Sequence, residues 1–249
     1  MFLNLCSMME LNKWFSRTEL LLGDEKLEKL RNAHVLVVGV GGVGAYAAEM
    51  ICRAGVGKMT IIDGDTVNIT NINRQLVALH STIGESKVEV LSKRLMDINP
   101  ELELIAKHEF LKDDSIEALL DSDKYTFIVD AIDTLSPKCY LIFHALRRKI
   151  KIVSSMGAGA KVDPTQIRYA DISDTYHCSL AKAVRKRLQK MGIRKGLPVV
   201  FTTEQADRSA VFESNTEQNK KSTVGTISYL PAIFGCFLAS HVIRKITGK

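Results

Sequence analysis

Gly39-Val-Gly41-Gly42-Val-Gly44 is the first group in this chain whose spacing implies chemistry. It follows a short apolar run at 35–38 and opens an alanine-rich segment, the strand–turn–helix context in which such glycines meet a phosphate. Gly39 permits the tight turn, Gly41 lets backbone close on an anion, and Gly44 lets helix and strand pack tightly. Gly42 extends the same small-residue loop, and the helix start offers N–H donors to negative charge. Asp63 ends the next apolar run, nineteen residues after Gly44, where a carboxylate takes ribose hydroxyls.

Glycines and an acid alone are equally the signature of a nicotinamide dinucleotide site. The residues that follow point to a triphosphate. Asp63-Gly-Asp65 sets two carboxylates at one strand end, Asn71-Ile-Asn73-Arg74-Gln75 comes soon after, and Lys87 begins the next helix. Hydride transfer needs no cations gathered at the phosphates, whereas a leaving pyrophosphate must be matched by Arg, Lys and a divalent metal. Asp130 and Asp133 follow a fourth apolar run, and Asp133 suits Mg²⁺, a hard cation that prefers oxygen. Taken singly, Arg74 and Lys87 read as solvated charges and Asp133 as a helix cap before Pro137. Their order along the chain favours ATP.

The elements that must position these groups alternate. Strands are expected at 35–38, 59–63, 102–106, 127–129 and 150–154, with helices at 43–54, 87–98, 115–120 and 138–147. Such alternation predicts an α/β fold, a Rossmann-like, mostly parallel sheet with helices on both faces. Beyond Ser155 the pattern loosens into a mixed C-terminal extension: a glycine-containing connection at 156–161, an extra strand at 166–170, a basic helix at 180–191 and a strand at 198–202. Residues 203–223 read as a polar, aperiodic loop. One domain over 1–249 is expected, with a nucleotide core at about 17–156 and a substrate-side extension at about 157–249.

With 46% hydrophobic and 25% charged residues the chain is neither a disordered polymer nor a fibre. Five cysteines without a CxxC pair make a disulfide framework or a four-cysteine zinc site unexpected, and reduced thiols fit a cytoplasmic protein. Cys178, in His177-Cys178-Ser179, reads either as a nucleophile or as an ordinary helix-start thiol. The apolar stretch 226–243 has the length of a membrane span but contains Ser228, Pro231, Ser240 and His241, so a buried helix is expected and no membrane. The net charge of +6 is segregated: residues 1–124 carry fourteen basic and nineteen acidic side chains, the remainder twenty and nine. A basic half of that size favours a polyanionic partner.

The succession GVGGVG, DGDTV, NINRQ, Lys87 and VDAID resembles the adenylating core of the ubiquitin-activating-like superfamily, over about residues 17–156. The resemblance implies that Gly39, Gly41, Gly42 and Gly44 contact ATP and Asp63 holds the ribose, with Asp65 and Asp130 beside the nucleotide. It also implies that Asn71, Arg74 and Lys87 hold the phosphates and that Asp133 positions Mg²⁺. Arg17 falls where the family carries an arginine that reaches into the neighbouring subunit's site, which implies a homodimer.

Within that superfamily RTELLLG, SSMGAGA, ADIS and GTISYLP are similar to the branch that dehydrates threonylcarbamoyladenosine in tRNA. That likeness implies adenylation of the threonyl carboxylate, then ring closure by the ureido nitrogen. The basic segment points the same way: Lys182, Arg185, Lys186 and Lys190 share or adjoin one helix face, with Ala183, Val184, Leu188 and Met191 opposite. Such a stripe tracks phosphates, although a solvated helix face has the same appearance. The alternatives are an adenylyltransferase acting on a ubiquitin-like sulfur-carrier protein within a sulfur relay, a nicotinamide-dependent oxidoreductase, and a non-catalytic nucleotide sensor. No reading gives DNA a part.

Overall fold

The computed structural model describes residues 12–213 and 222–249. Two short helices lead in, α1 (Ser16–Leu22) and α2 (Asp24–Arg31). The core then alternates β1 (His34–Val38), α3 (Gly44–Arg53), β2 (Lys58–Ile62), α4 (Lys87–Ile98), β3 (Glu103–Lys107), α5 (Asp113–Asp121), β4 (Phe127–Asp130), α6 (Leu135–Arg147) and β5 (Lys151–Ser155). The extension adds β6 (Ile167–Asp171), α7 (Ser179–Lys190), β7 (Pro198–Thr202), a small hairpin of β8 (Val211–Glu213) and β9 (Ser222–Val224), and α8 (Tyr229–Thr247).

One seven-stranded sheet runs in the order β3-β2-β1-β4-β5-β7-β6. All its pairs are parallel except β6 with β7, which is antiparallel. Both faces are covered, which is why β1 is buried at every position and apolar throughout after His34. Period-2 alternation sorts the side chains between layers. Val35, Val37, Met59, Ile61 and Val129 face α3, α4 and α8, whereas Leu36, Val38, Ile62 and Ile128 face α5, α6 and α7.

The apolar C-terminal stretch is α8, long and apolar enough to cross a bilayer by length and composition. It instead lays Leu230, Phe234, Leu238 and Val242, spaced at helical intervals, into the first layer, where all four are fully buried. Gly235 makes the close crossing with α3: a Cβ there would meet the Val43 carbonyl at 2.5 Å and Tyr46 at 2.8 Å. The expectation of an aperiodic loop over 203–223 is corrected where that segment is described. It holds a 3₁₀ turn at Arg208–Ala210 and the β8–β9 hairpin, paired from Val211–Val224 to Glu213–Ser222; 214–221 lie outside the described residues. Six paired residues in two three-residue strands are too short for periodicity to register.

Candidate nucleotide site

Strand order reverses between β1 and β4, and open α/β sheets gather ligands in the crevice at such a switch point, outside the carboxyl ends of the strands. The glycine loop after β1 and the VDAID segment ending β4 both open there. Gly39 has φ +84°, and a Cβ on it would lie 2.8 Å from the Ala131 carbonyl oxygen, so the two loops touch where glycine alone fits. A Cβ on Gly44 would collide with the Gly39 carbonyl, which is the tight strand–helix packing expected of it. Gly41 meets no atom closer than the Gln75 side chain at 3.7 Å, so its open side is left for a ligand. Gly42 lies under Pro231 and Arg74, joining the loop to α8 and to the NINRQ segment.

Asp63 locks this loop in place. Its Oδ2 accepts the Val40 N–H at 2.7 Å and its Oδ1 the Asp65 N–H at 2.8 Å. A carboxylate has about four acceptor positions, so two remain for ribose hydroxyls. Burial pushes the Asp63 carboxyl above the usual range, while the Lys87 charge and the two backbone donors pull the other way. Lys87 is 4% exposed, and its ammonium is 2.7 Å from Asp65 Oδ2. Asp65 therefore serves here by holding Lys87 at the crevice.

The 68–75 segment is a capped turn. Asn68 accepts from the Thr70 N–H while Asn71 accepts from the Asn68 N–H, so the Asn71 carbonyl oxygen shapes the turn and its amide group remains a donor. Arg74 Nη1 donates to the Thr70 carbonyl at 2.9 Å and to Asn73 Oδ1 at 2.8 Å. Asn73 Nδ2 donates to the Thr226 carbonyl at 2.9 Å, tying the segment to the extension that precedes α8.

Asp130 and Asp133 part company. Asp130 is fully buried: Oδ2 accepts from Ser154 at 2.6 Å and pairs with Lys138 at 2.8 Å, and Oδ1 accepts the Ile132 N–H at 3.1 Å. Lys138, also fully buried, donates to the Ile132 carbonyl at 2.9 Å. Asp130, expected beside the nucleotide, spends its carboxylate on Ser154, Lys138 and the Ile132 N–H, while Lys138 holds the Ile132 carbonyl, and together the pair fixes the turn bearing Asp133. Asp133 itself is exposed on that turn. No cluster of three or more His, Cys, Asp or Glu occurs among the described residues. One exposed carboxylate fits Mg²⁺ nonetheless, since that ion keeps waters and shares phosphate oxygens with few protein ligands.

Arg17 stands apart, exposed on α1. Preceding it, Phe15 packs on Gly55 just beyond the far end of α3, with the Arg31 guanidinium over its ring. The ten residues of α3 span about 15 Å between that end and the glycine loop, so Arg17 and the loop lie at opposite edges of the sheet.

Of the predicted basic stripe, Lys182, Lys186 and Lys190 are exposed along one face of α7, with Ala181, Val184 and Leu188 buried opposite. Val184 and Leu188 are buried as expected, whereas Ala183 and Met191 are half-buried and Ala181 takes a place in the seam. Arg185 is also corrected: its Nη1 donates to the Thr175 hydroxyl at 2.6 Å and carbonyl at 2.9 Å, closing the 172–175 turn. Cys178 is buried as the N-cap of α7, with Sγ accepting the Ala181 N–H at 3.4 Å. Beside it lies Lys161, 4% exposed, whose Nζ donates to the Thr202 carbonyl at 3.4 Å. Burial pulls the Lys161 ammonium below its ordinary pKa, with Cys178 and Glu204 opposing.

Sequence reasoning missed Lys138 as the partner of Asp130, the Asn73–Thr226 tie and the α1–α2 pair. A lysine in a helix carries no sign of burial, and the Asp130–Ser154 pairing beside it is set by the register of β4 and β5.

Comparison with known proteins adds to this geometry. The ThiF family model matches residues 15–249. The chain is 42% identical to a tRNA threonylcarbamoyladenosine dehydratase of Bacillus subtilis, over 93% of this chain and 94% of the relative. The crystal structure of the Escherichia coli tRNA N6-threonylcarbamoyladenosine dehydratase in complex with ATP superposes with a TM-score of 0.87 at 36% identity, covering 95% of both chains. A molybdopterin-synthase adenylyltransferase of Salmonella typhimurium is 31% identical over 62% of this chain and 61% of that one.

Proposed function

The chain belongs to the ThiF family, and from that premise we propose that it dehydrates N6-threonylcarbamoyladenosine in tRNA at the expense of ATP. The observation that carries this reading is a likeness to the dehydratases that extends over 93% of the chain, whereas the likeness to the sulfur-carrier adenylyltransferase stops at 62%.

In this reading the threonyl carboxylate attacks the α-phosphorus, the bond to the β-phosphate oxygen breaks and pyrophosphate leaves. The ureido nitrogen then attacks the activated carbonyl carbon and loses its proton, the bond to the AMP oxygen breaks, and the side chain closes into a ring. The balance is loss of one water from the nucleoside and conversion of ATP to AMP and pyrophosphate. Asp63 orients the ribose, the Gly39–Gly44 loop admits the phosphates to the α3 N-terminus, and Asn71, Arg74 and Lys87 offset charge on the departing pyrophosphate. Asp133 would hold Mg²⁺, which neutralises phosphate charge when bound. Arg17, at the far edge of its own sheet, completes the site of a second copy in a homodimer.

Lys182, Lys186 and Lys190 track the tRNA backbone, which positions the substrate without reading it; the modified base is recognised at the crevice. A cytoplasmic setting follows from a tRNA substrate. Incubation with ATP, Mg²⁺ and tRNA bearing the modified adenosine tests the proposal. The expected products are a nucleoside lighter by one water, with AMP and pyrophosphate in equal amounts. AMP formation that requires a ubiquitin-like sulfur-carrier protein and ignores tRNA would instead establish the alternative partner.

A further inference from the structure

Tyr176 is 51% exposed, yet the turn that carries it is held from both sides. Before it, Thr175 is buried and clasped by Arg185 of α7, which bonds both its hydroxyl and its carbonyl. After it, His177 takes φ +51°, a left-handed conformation that side-chain-bearing residues seldom adopt, with Nδ1 2.9 Å from the Thr203 carbonyl oxygen. The Tyr176 ring meets the buried Phe201 ring at 5.6 Å and 77°, and the His177 ring at 5.0 Å and 82°. Both contacts are close to perpendicular, so neither ring lies flat on the tyrosine. The turn thus presents a fixed, half-open aromatic surface.

Its place in the fold says what that surface meets. A Cβ on Gly157, two residues beyond β5, would lie 3.4 Å from Cys178 Sγ, and Thr203 directly follows β7. The turn therefore stands at the carboxyl edge of the sheet, where the crevice opens. From there α7 runs away, and its exposed face carries Lys182, Lys186 and Lys190 over eight residues, about 12 Å. An RNA backbone that follows these lysines towards the crevice arrives beside Tyr176. A modified adenosine whose side chain enters the crevice has to be unpaired and splayed from its stack, and the base next to it then loses a stacking partner. We propose that Tyr176 takes that partner's place and stacks on the unpaired base adjoining the modified adenosine. This deepens the tRNA reading given above and rests on it. The ring positions the RNA strand and takes no part in bond making.

The test is titration of the whole protein, in wild type, Y176A, Y176F and Y176W, with two RNAs: a hairpin whose loop carries the modified adenosine, and a fully paired duplex of the same length. Y176A should bind the hairpin about tenfold more weakly, the scale of one base–aromatic stack. Its salt dependence should be unchanged, because no phosphate contact is lost, and the duplex should bind within about twofold of wild type. Y176F and Y176W should hold the hairpin as wild type does. Trp14 is the chain's only tryptophan, so in a W14F background the Y176W indole fluorescence should be quenched by the hairpin but not by the duplex. Equal hairpin affinity in Y176A and wild type overturns the inference. So does a loss that the duplex shares, since the ring would then merely prop the turn that starts α7. A wild type that binds neither RNA overturns the tRNA reading itself, and the stacking with it.

Discussion

The Lys87 ammonium and the Asp65 carboxylate form a 2.7 Å ion pair whose halves differ in burial: the lysine side chain is 6% exposed and the aspartate 51%. The pair is lopsided, so its two deletions are not equivalent. Lys87→Ala leaves a solvated carboxylate and should cost stability about 1 kcal/mol or less. It should nonetheless lower ATP–pyrophosphate exchange by about 10²–10³-fold, the scale of losing one donor to transition-state charge. Asp65→Asn strands a buried cation with only Asp63 nearby and should cost roughly 1–2 kcal/mol more. Urea unfolding of both variants, beside the exchange assay, checks the order.

Asp130 and Lys138 are both fully buried, so removing one partner is severe. Lys138→Met should destabilise by about 3–5 kcal/mol, whereas combining it with Asp130→Asn should recover much of that loss. The double variant should still be catalytically poor, because the Ile132 carbonyl loses its Lys138 donor and the turn bearing Asp133 is held by one anchor instead of two. Full activity in a stable double variant would remove the positioning role.

On α7, charge reversal at Lys182, Lys186 and Lys190 should weaken tRNA binding. It should also flatten the salt dependence by about 0.7–0.9 for each phosphate that is no longer neutralised. Arg185→Ala should leave that slope unchanged and loosen the 172–175 turn by roughly 1–2 kcal/mol, since its hydrogen bonds are internal. Filter binding across a salt series separates the two.

Lys161 gives a pH signature. Burial lowers its folded pKa below the ordinary 10.5, so between the two values the unfolded chain holds more protons and stability rises with pH. Below the folded pKa the cost of the buried charge is fully present. Lys161→Met should therefore stabilise the protein at pH 7, and its advantage should shrink as pH climbs towards 10.5. Urea midpoints of both proteins at neutral and alkaline pH measure this; an advantage that grows with pH would contradict the sign.

If Arg17 acts across a dimer, Arg17→Ala and Asp133→Ala should each be inactive alone yet complement one another. Random mixing leaves one complete site in half of the dimers, about a quarter of wild-type activity. No recovery on mixing would place Arg17 outside the site.

The nucleotide end of the molecule was written in short-range spacing. A glycine loop, an acid nineteen residues on and Lys87 opening a helix are read directly from sequence, because one strand–turn–helix unit imposes all of them locally. The alternating pattern likewise sets the parallel sheet, since strands covered on both faces must be continuously apolar. Only the assembled fold assigns opposite fates to Asp130 and Asp133, three residues apart. The first ends β4 beside Ser154 on β5 and under Lys138 of α6; the second clears the strand and reaches solvent. The same holds for Arg185, which its neighbours on α7 suggested was one more cation until the 172–175 turn met it. Sequence names the charges, but burial and partners decide which remain available to a ligand, and those come from segments far apart in the chain.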